Sequence, residues 1–420
     1  MSDGDPRAAH LRDMIRPNAA ADNGGQAVQR ALEAVRTHLG LQVAYVSEFV
    51  GNETVFRHVD APGLEHLIKP GDSRSLDDVY CRHILAGRLP QLIADTAEVP
   101  QAMAMPITHE VPIGAHVSVP LLMADGEVYG MFCCLGPVAD KSLNERDLGM
   151  MRAFAELTAF EIDRERKALR LRRAKEARIE AVIAGDELHI VYQPIWSLEE
   201  NRPIGFESLS RFTAEPVRPP DQWFAEAAEV GRGVELELLA IRHALAGIAA
   251  LPADVYLSVN AASETVLSPL LAETLAGHPL DRIVLEITEH DCIDDFEALE
   301  AAVAPLRAQG VRLAVDDAGA GHSGLQQILK LRPDLIKLDR SLIEGIGDDP
   351  GRRALASALT MFARETGSRL IAEGVETEEE LAMLRALGMD KVQGYLLGRP
   401  APLETVRALV AGSASRQNAA

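Results

Sequence analysis

Cysteine is scarce in this sequence: four residues in 420, with no CxxC or comparable ligand spacing. That excludes a disulfide-stapled secreted fold and a zinc ribbon, and favours a reducing, cytoplasmic setting. Long apolar runs are also missing, so no segment is predicted to span a bilayer. The opening stretch MSDGDPRAAHLRDMIRPNAAADNGGQ has early acids and no apolar centre, so residues 1–24 read as a flexible lead-in, not a secretory signal. Residues 412–420 read as a flexible tail. Positive charge is in deficit, 42 Lys and Arg against 63 Asp and Glu, for a net charge of -21 and a pI near 5.0. Such a surface repels a polyphosphate backbone and argues against DNA or RNA as a polymeric partner. A small nucleotide stays open, because metals that neutralise a carboxylate pocket also recruit phosphate. With 47% hydrophobic and 25% charged residues, the chain has the balance of a globular protein long enough for two ordinary domains.

Three zones follow. In the first, residues 25–162, AVQRALEAVRTHLG has helical spacing and a Gly stop, while LQVAYVSEFVG reads as a strand. HVSVPLLMADGEVYGMFCCLG reads as two strands joined at Asp125-Gly126. This order predicts an α+β sheet domain. From Asn144 to Ala184 there is no Pro and little Gly, which predicts one or two long helices. Its apolar part, LGMMRAFAELTAFEI, is expected to pack on something. Its basic part, residues 163–184, reads as a solvated helical linker rather than a nucleic-acid or membrane surface. The third zone, 185–411, alternates β-branched runs with helical stretches such as LELLAIRHALAGIAAL. Such alternation predicts a TIM-like β/α barrel; an open doubly wound sheet is the alternative, though no GxGxxG follows a strand.

In this third zone strand after strand ends in a carboxylate or amide. Glu207 closes IGFE, Asn260 closes YLSVN, and Glu286 and Glu289 flank the end of IVLEITE. Asp316-Asp317 ends RLAVDD, Lys337 and Asp339 end LIKLD, Glu373 ends RLIAE, and Gln393 lies in KVQGY. One polar strand end means only that a strand meets water; so many do not have that explanation. Strand ends of a barrel converge on one mouth. Acids gathered there raise one another's pKa unless cations intervene. Oxygen donors without His or Cys favour Mg²⁺ or Mn²⁺, and a pair of such ions clamps a phosphoester during displacement. The residue types alone point to metal-assisted phosphodiester hydrolysis.

The segments YQP, ExLxR, VN, EITE, DD, KLD, AEGVE and QGY, in this order, closely resemble the EAL phosphodiesterase domain. The resemblance implies that Glu207, Asn260, Glu286 and Asp316 hold one metal, and that Asp316 bridges to a second held with Asp317 and Glu373. It implies that Lys337 holds the attacking water, which Glu373 helps to orient or deprotonate. Gln193 and Arg211 become substrate contacts, Gln393 a site amide, and Glu289 the anchor of the loop after Asp317. The implied reaction opens cyclic di-GMP to linear pGpG with two Mg²⁺ or Mn²⁺ ions, in a protein expected to pair as a homodimer. The alternative is a catalytically silent cyclic di-GMP receptor or scaffold; the complete ligand set favours the enzyme. Ser208 replaces the usual Ala of the signature triplet. The loop DDAGAGHSGL departs from the usual DDFGTGYSSL at Ala318, Ala320, His322 and Gly324, with His322 read as a loop residue and not a ligand. GDEL at Gly185–Leu188 lacks the context of a synthase motif.

The first zone is similar to a GAF sensor domain, carried by DDVYCRHILAGRLPQLIADT and the hairpin after it. That implies a regulatory role with an unnamed ligand. Cys81-Arg82-His83 invites a bilin or haem, but Cys81 reads as a small buried residue, and Tyr80 and Met103 as core.

Overall fold

The computed structural model describes residues 24–185, 187–288, 295–318 and 324–417. The chain divides between Leu171 and Arg172 into two units.

The first unit is built on a six-stranded antiparallel sheet. Its strands are β1 (Val43–Val50), β2 (Glu53–Asp60), β3 (Ser73–Ser75), β4 (Leu92–Ile93), β5 (Ala115–Leu122) and β6 (Val128–Gly136), in spatial order β3-β2-β1-β6-β5-β4. The hairpin expected at Asp125-Gly126 joins β5 to β6, with Gly126 at φ 84°, where only glycine is unstrained. Side chains of β6 alternate between two cores: Phe132 and Cys134 on one face, Met131 and Cys133 on the other. The two adjacent cysteines therefore point apart, each as a buried residue. One face is covered by α1 (Gly24–Leu39), which buries Val28, Leu32, Val35 and Leu39 at helical spacing. The other carries α2 (Tyr80–Leu85) and two short helices at Pro100–Met103 and Ile107–Glu110. Tyr80 and Cys81 are buried there, but Met103, expected in the core, is 38% exposed. It ends its short helix with the preceding Ala102 taking the inward position.

The linker is one helix, α3 (Glu145–Ala184), 40 residues and about 60 Å long. Leu148, Met151, Ala155, Ala159 and Ile162 recur three and four apart and are buried against the first sheet. At the other end Ile179 and Val182 join a cluster with Leu188, Trp223 and Leu236 of the second unit. Between them three of the basic residues pair within the helix, Arg164 with Glu161, Lys167 with Asp163 and Arg172 with Glu176.

The second unit is a closed eight-stranded barrel: β7 (Leu188–Ser197), β8 (Arg202–Phe212), β9 (Tyr256–Asn260), β10 (Ile283–Thr288), β11 (Arg312–Ala318), β12 (Leu335–Leu338), β13 (Arg369–Ala372) and β14 (Lys391–Gln393). Helices α4 (Pro220–Glu229) and α5 (Gly233–Ala246) follow β8. The barrel is not all-parallel, because β7 runs antiparallel to both β8 and β14. Residues 198–201 are too few for a crossover, and Asn201 at φ 51° turns the chain back as a hairpin. Among the described residues no helix is long and apolar enough to cross a membrane.

Candidate metal centre

The bore of the barrel is layered. Ile195, Ile204, Tyr256, Val284, Ala314, Leu335 and Ile371, one from each of seven strands, form an apolar plug. Side chains two residues apart on a strand share a face and stand one layer higher, by about 6.6 Å. Two positions beyond Tyr256, Val284, Ala314, Leu335 and Ile371 come Ser258, Glu286, Asp316, Lys337 and Glu373. The plug thus fixes the height and direction of the polar layer above it.

Lys337 lies at the centre of that layer, 1% exposed. Its Nζ is 2.7 Å from Glu373, 3.1 Å from Glu286, 3.1 Å from Asp316 and 3.4 Å from Glu207. Burial by itself would lower the pKa of this ammonium; Asp316, Glu207, Glu286 and Glu373 outweigh it and hold the pKa well above the ordinary lysine value. The acids are strained electrostatically in return. Burial, with Glu207 and Asp316 adding to it, raises the Glu286 carboxyl to about 8 despite Lys337. Burial, Asp316 and Glu207 likewise raise Glu373 well above the carboxylate range.

Asp316 and Asp317 are neighbours in a strand and should face opposite ways. A bulge in the β11–β12 ladder prevents that. Val315 pairs with Ile336 and Ala318 with Leu338, which leaves both aspartates opposite Lys337. Asp317 adopts φ 56°, a left-handed conformation that Asp tolerates better than most residues, and its N–H donates to Asp316 Oδ1 at 2.9 Å. As a result the carboxylates form two triads, Glu207–Glu286–Asp316 and Asp316–Asp317–Glu373, each with oxygens within 4.8 Å of one another and both including Asp316.

The donor set fits divalent cations. With all five carboxylates ionised, the one ammonium leaves four negative charges uncompensated, the charge of two divalent ions, and every donor is a hard oxygen.

The remaining expected residues take the following places. Asn260 ends β9 beside Glu286, its backbone partner. Gln393 donates to Glu207 Oε2 at 2.5 Å and to Gln193 Oε1 at 3.2 Å, so Gln393 ties Glu207 to Gln193. Arg211, half-buried, sits further along β8 and donates to the Ser210 carbonyl. It lines a 410 Å³ pocket that also reaches Asn260 and Glu286. Glu289 and His322 lie outside the described residues, as do Ala320 and most of the loop after Ala318. Four residues at the site escaped the sequence reading. Ser258 donates to Glu286 Oε1 at 2.5 Å, and its place two residues before Asn260 was the available signal. Asp221, Phe224 and Glu237, from α4 and α5, wall the Arg211 pocket, and no local motif marks them.

The chain matches the EAL domain over residues 172–400 and the GAF domain over residues 25–163. An uncharacterized signaling protein of Caulobacter vibrioides is 30% identical over 343 residues, 79% of this chain and 41% of its own. The probable cyclic di-GMP phosphodiesterase PdeD of Escherichia coli is 30% identical over 244 residues, 55% of this chain and 45% of its own. The chain therefore spans less than half the length of these two relatives. A solved structure, the PaMucR phosphodiesterase in complex with c-di-GMP, is 26% identical over 56% of this chain and 99% of its own, with a TM-score of 0.51. The match from residue 172 to 400 takes in the whole polar layer and more than half of the sequence, and it makes this chain a member of the EAL-domain family with a GAF domain ahead of its barrel.

Proposed function

We propose that the chain hydrolyses cyclic di-GMP to linear pGpG at the mouth of the barrel, under the influence of its GAF domain. The observation that carries this reading is the pair of carboxylate triads sharing Asp316. Relatives named as cyclic di-GMP phosphodiesterases support the choice of substrate. In the reaction a water oxygen bonds to phosphorus, the bond from phosphorus to the ribose 3′ oxygen breaks, and that oxygen leaves with a proton. The product is opened at one phosphodiester and keeps a 5′ phosphate.

Glu207, Asn260, Glu286 and Asp316 would hold one Mg²⁺ or Mn²⁺, and Asp316, Asp317 and Glu373 a second. Such ions, when bound, supply Lewis acidity and lower the pKa of water. The protein's own groups do the rest. Glu373, which lies 2.7 Å from Lys337, would orient the attacking water or accept its proton. The Lys337 ammonium donates to that water and fixes its direction. Gln193 and Gln393 keep Glu207 in one rotamer, and the Arg211 fork pairs with a phosphate at the pocket edge.

The test is turnover of cyclic di-GMP with Mg²⁺ or Mn²⁺, with pGpG measured directly. Wild type should form product, and Glu207→Ala should lose about two or more orders of magnitude in rate while keeping its fold. Tight binding of cyclic di-GMP with no product at any metal concentration would make the chain a receptor and end the enzymatic reading.

A further inference from the structure

The sheet face opposite α1 encloses a cavity of about 290 Å³, at the small end of ligand pockets. Tyr45, Phe56, Val79, Tyr80 and Ile113 form its walls. Two edge-to-face ring pairs, Tyr45 with Phe56 at 4.9 Å and Tyr80 with His116 at 5.0 Å, present aromatic surfaces that favour a flat ring. Within this apolar lining two polar groups stand out. His116 is 2% exposed, lines the cavity, and has a buried Nδ1 with no hydrogen-bond partner among the described residues. Buried ring nitrogens are normally satisfied, so a missing partner calls for an occupant. The Tyr80 ring is 5.0 Å away between centroids, but its hydroxyl donates to Thr108 at 2.5 Å and makes no bond to His116 Nδ1. Arg74 lines the same cavity and has only a loose ion pair, 3.7 Å to the exposed Glu110. Its remaining side-chain N–H groups meet no partner among the described residues and can donate to an anion. Leu67, also lining the cavity, is 57% exposed, an apolar side chain left bare beside the pocket. Cys81 is buried and does not line the cavity, so an occupant is held without a thioether.

We propose that this cavity binds a small planar aromatic carboxylate, its ring between Tyr45, Phe56 and Tyr80, with His116 and Arg74 engaging its polar end. The site belongs to the first unit alone and does not depend on the barrel's activity.

The test is calorimetric titration of the full-length chain with 2-naphthoate and with the neutral 2-naphthylmethanol. One equivalent of 2-naphthoate should bind. Arg74→Gln should weaken it by about tenfold while leaving 2-naphthylmethanol within about twofold, since only the anion uses the guanidinium. Val111→Phe, a half-buried position on the lining, should weaken both probes without loss of the thermal transition, and Glu207→Gln in the barrel should change neither. No heat with either probe at millimolar concentration overturns the proposal. So does equal loss of both probes in Arg74→Gln, or binding untouched by a folded Val111→Phe.

Discussion

In the proposed reaction Lys337 carries two jobs, charge compensation and positioning of the water, that separate by experiment. In the absence of metal it is, among the described residues, the one cation set among the buried Glu207, Glu286 and Asp316 and the half-buried Glu373, so removing it leaves their negative charge uncompensated. Breaking a buried pair from one side costs about 3–5 kcal/mol. Lys337→Met should therefore lower the thermal midpoint sharply in chelator, and Mn²⁺ should restore more of it in the variant than in wild type. Turnover should stay lost even at saturating Mn²⁺, because the water loses its donor. A variant as stable as wild type in chelator would show that the carboxylates are already protonated. The acids themselves were legible from sequence because each ends an apolar run. The central place of Lys337 was not, since nothing in LIKLD says that its neighbours across the bore are all acidic.

At the scale of elements, the β11 bulge and the α3–α4 contact decide most. Strand alternation would have sent Asp317 away from Asp316, and no sequence signal announces a bulge; only the resemblance placed both at one site. Asp317→Asn keeps a side chain that tolerates φ 56°, whereas Asp317→Val adds about 1–2 kcal/mol of backbone strain. Both should weaken the second cation, but only the valine variant should lose stability, as chemical denaturation would report. The reversed first strand was likewise hidden, because a run such as IVYQPIWSL states strand but not direction.

On α4, Glu226 accepts from Arg178 of α3 and Arg218, each at 2.7 Å. Burial alone would raise its carboxyl; the two guanidiniums outweigh burial and hold it down to about 2, against 4.5 unperturbed. A depressed folded-state pKa stabilises above the unfolded value, and the stabilisation is lost as pH falls from about 4.5 towards 2. That interval corresponds to roughly 3–3.5 kcal/mol. Urea unfolding between pH 6 and pH 2.5 should be steeper in wild type than in Glu226→Gln, and parallel slopes would remove Glu226 from the acid response.

For the whole molecule, composition and patterning gave two domains and the right classes, since periodicity survives without knowledge of partners. Where the linker stops was less visible. Residues 163–184 were read as solvated, yet Ile179 and Val182 are buried and Lys175 pairs with Glu229 at 2.5 Å. A short apolar run such as IEAVIA at the end of a basic helix looks like noise until its cluster is assembled.

The two ends of α3 are thus gripped by different cores, which makes its length a phase. Each residue added to an α-helix advances the far end by 1.5 Å and turns it by about 100°. One alanine inserted between Arg166 and Arg170 puts the second grip on another side of the helix axis, while seven return it to within about 20°. If the first unit governs the barrel through torque along this helix, turnover across insertions of one to seven alanines should rise and fall with the helical period. A steady decline with inserted length would mean that distance, not rotation, is what the barrel senses.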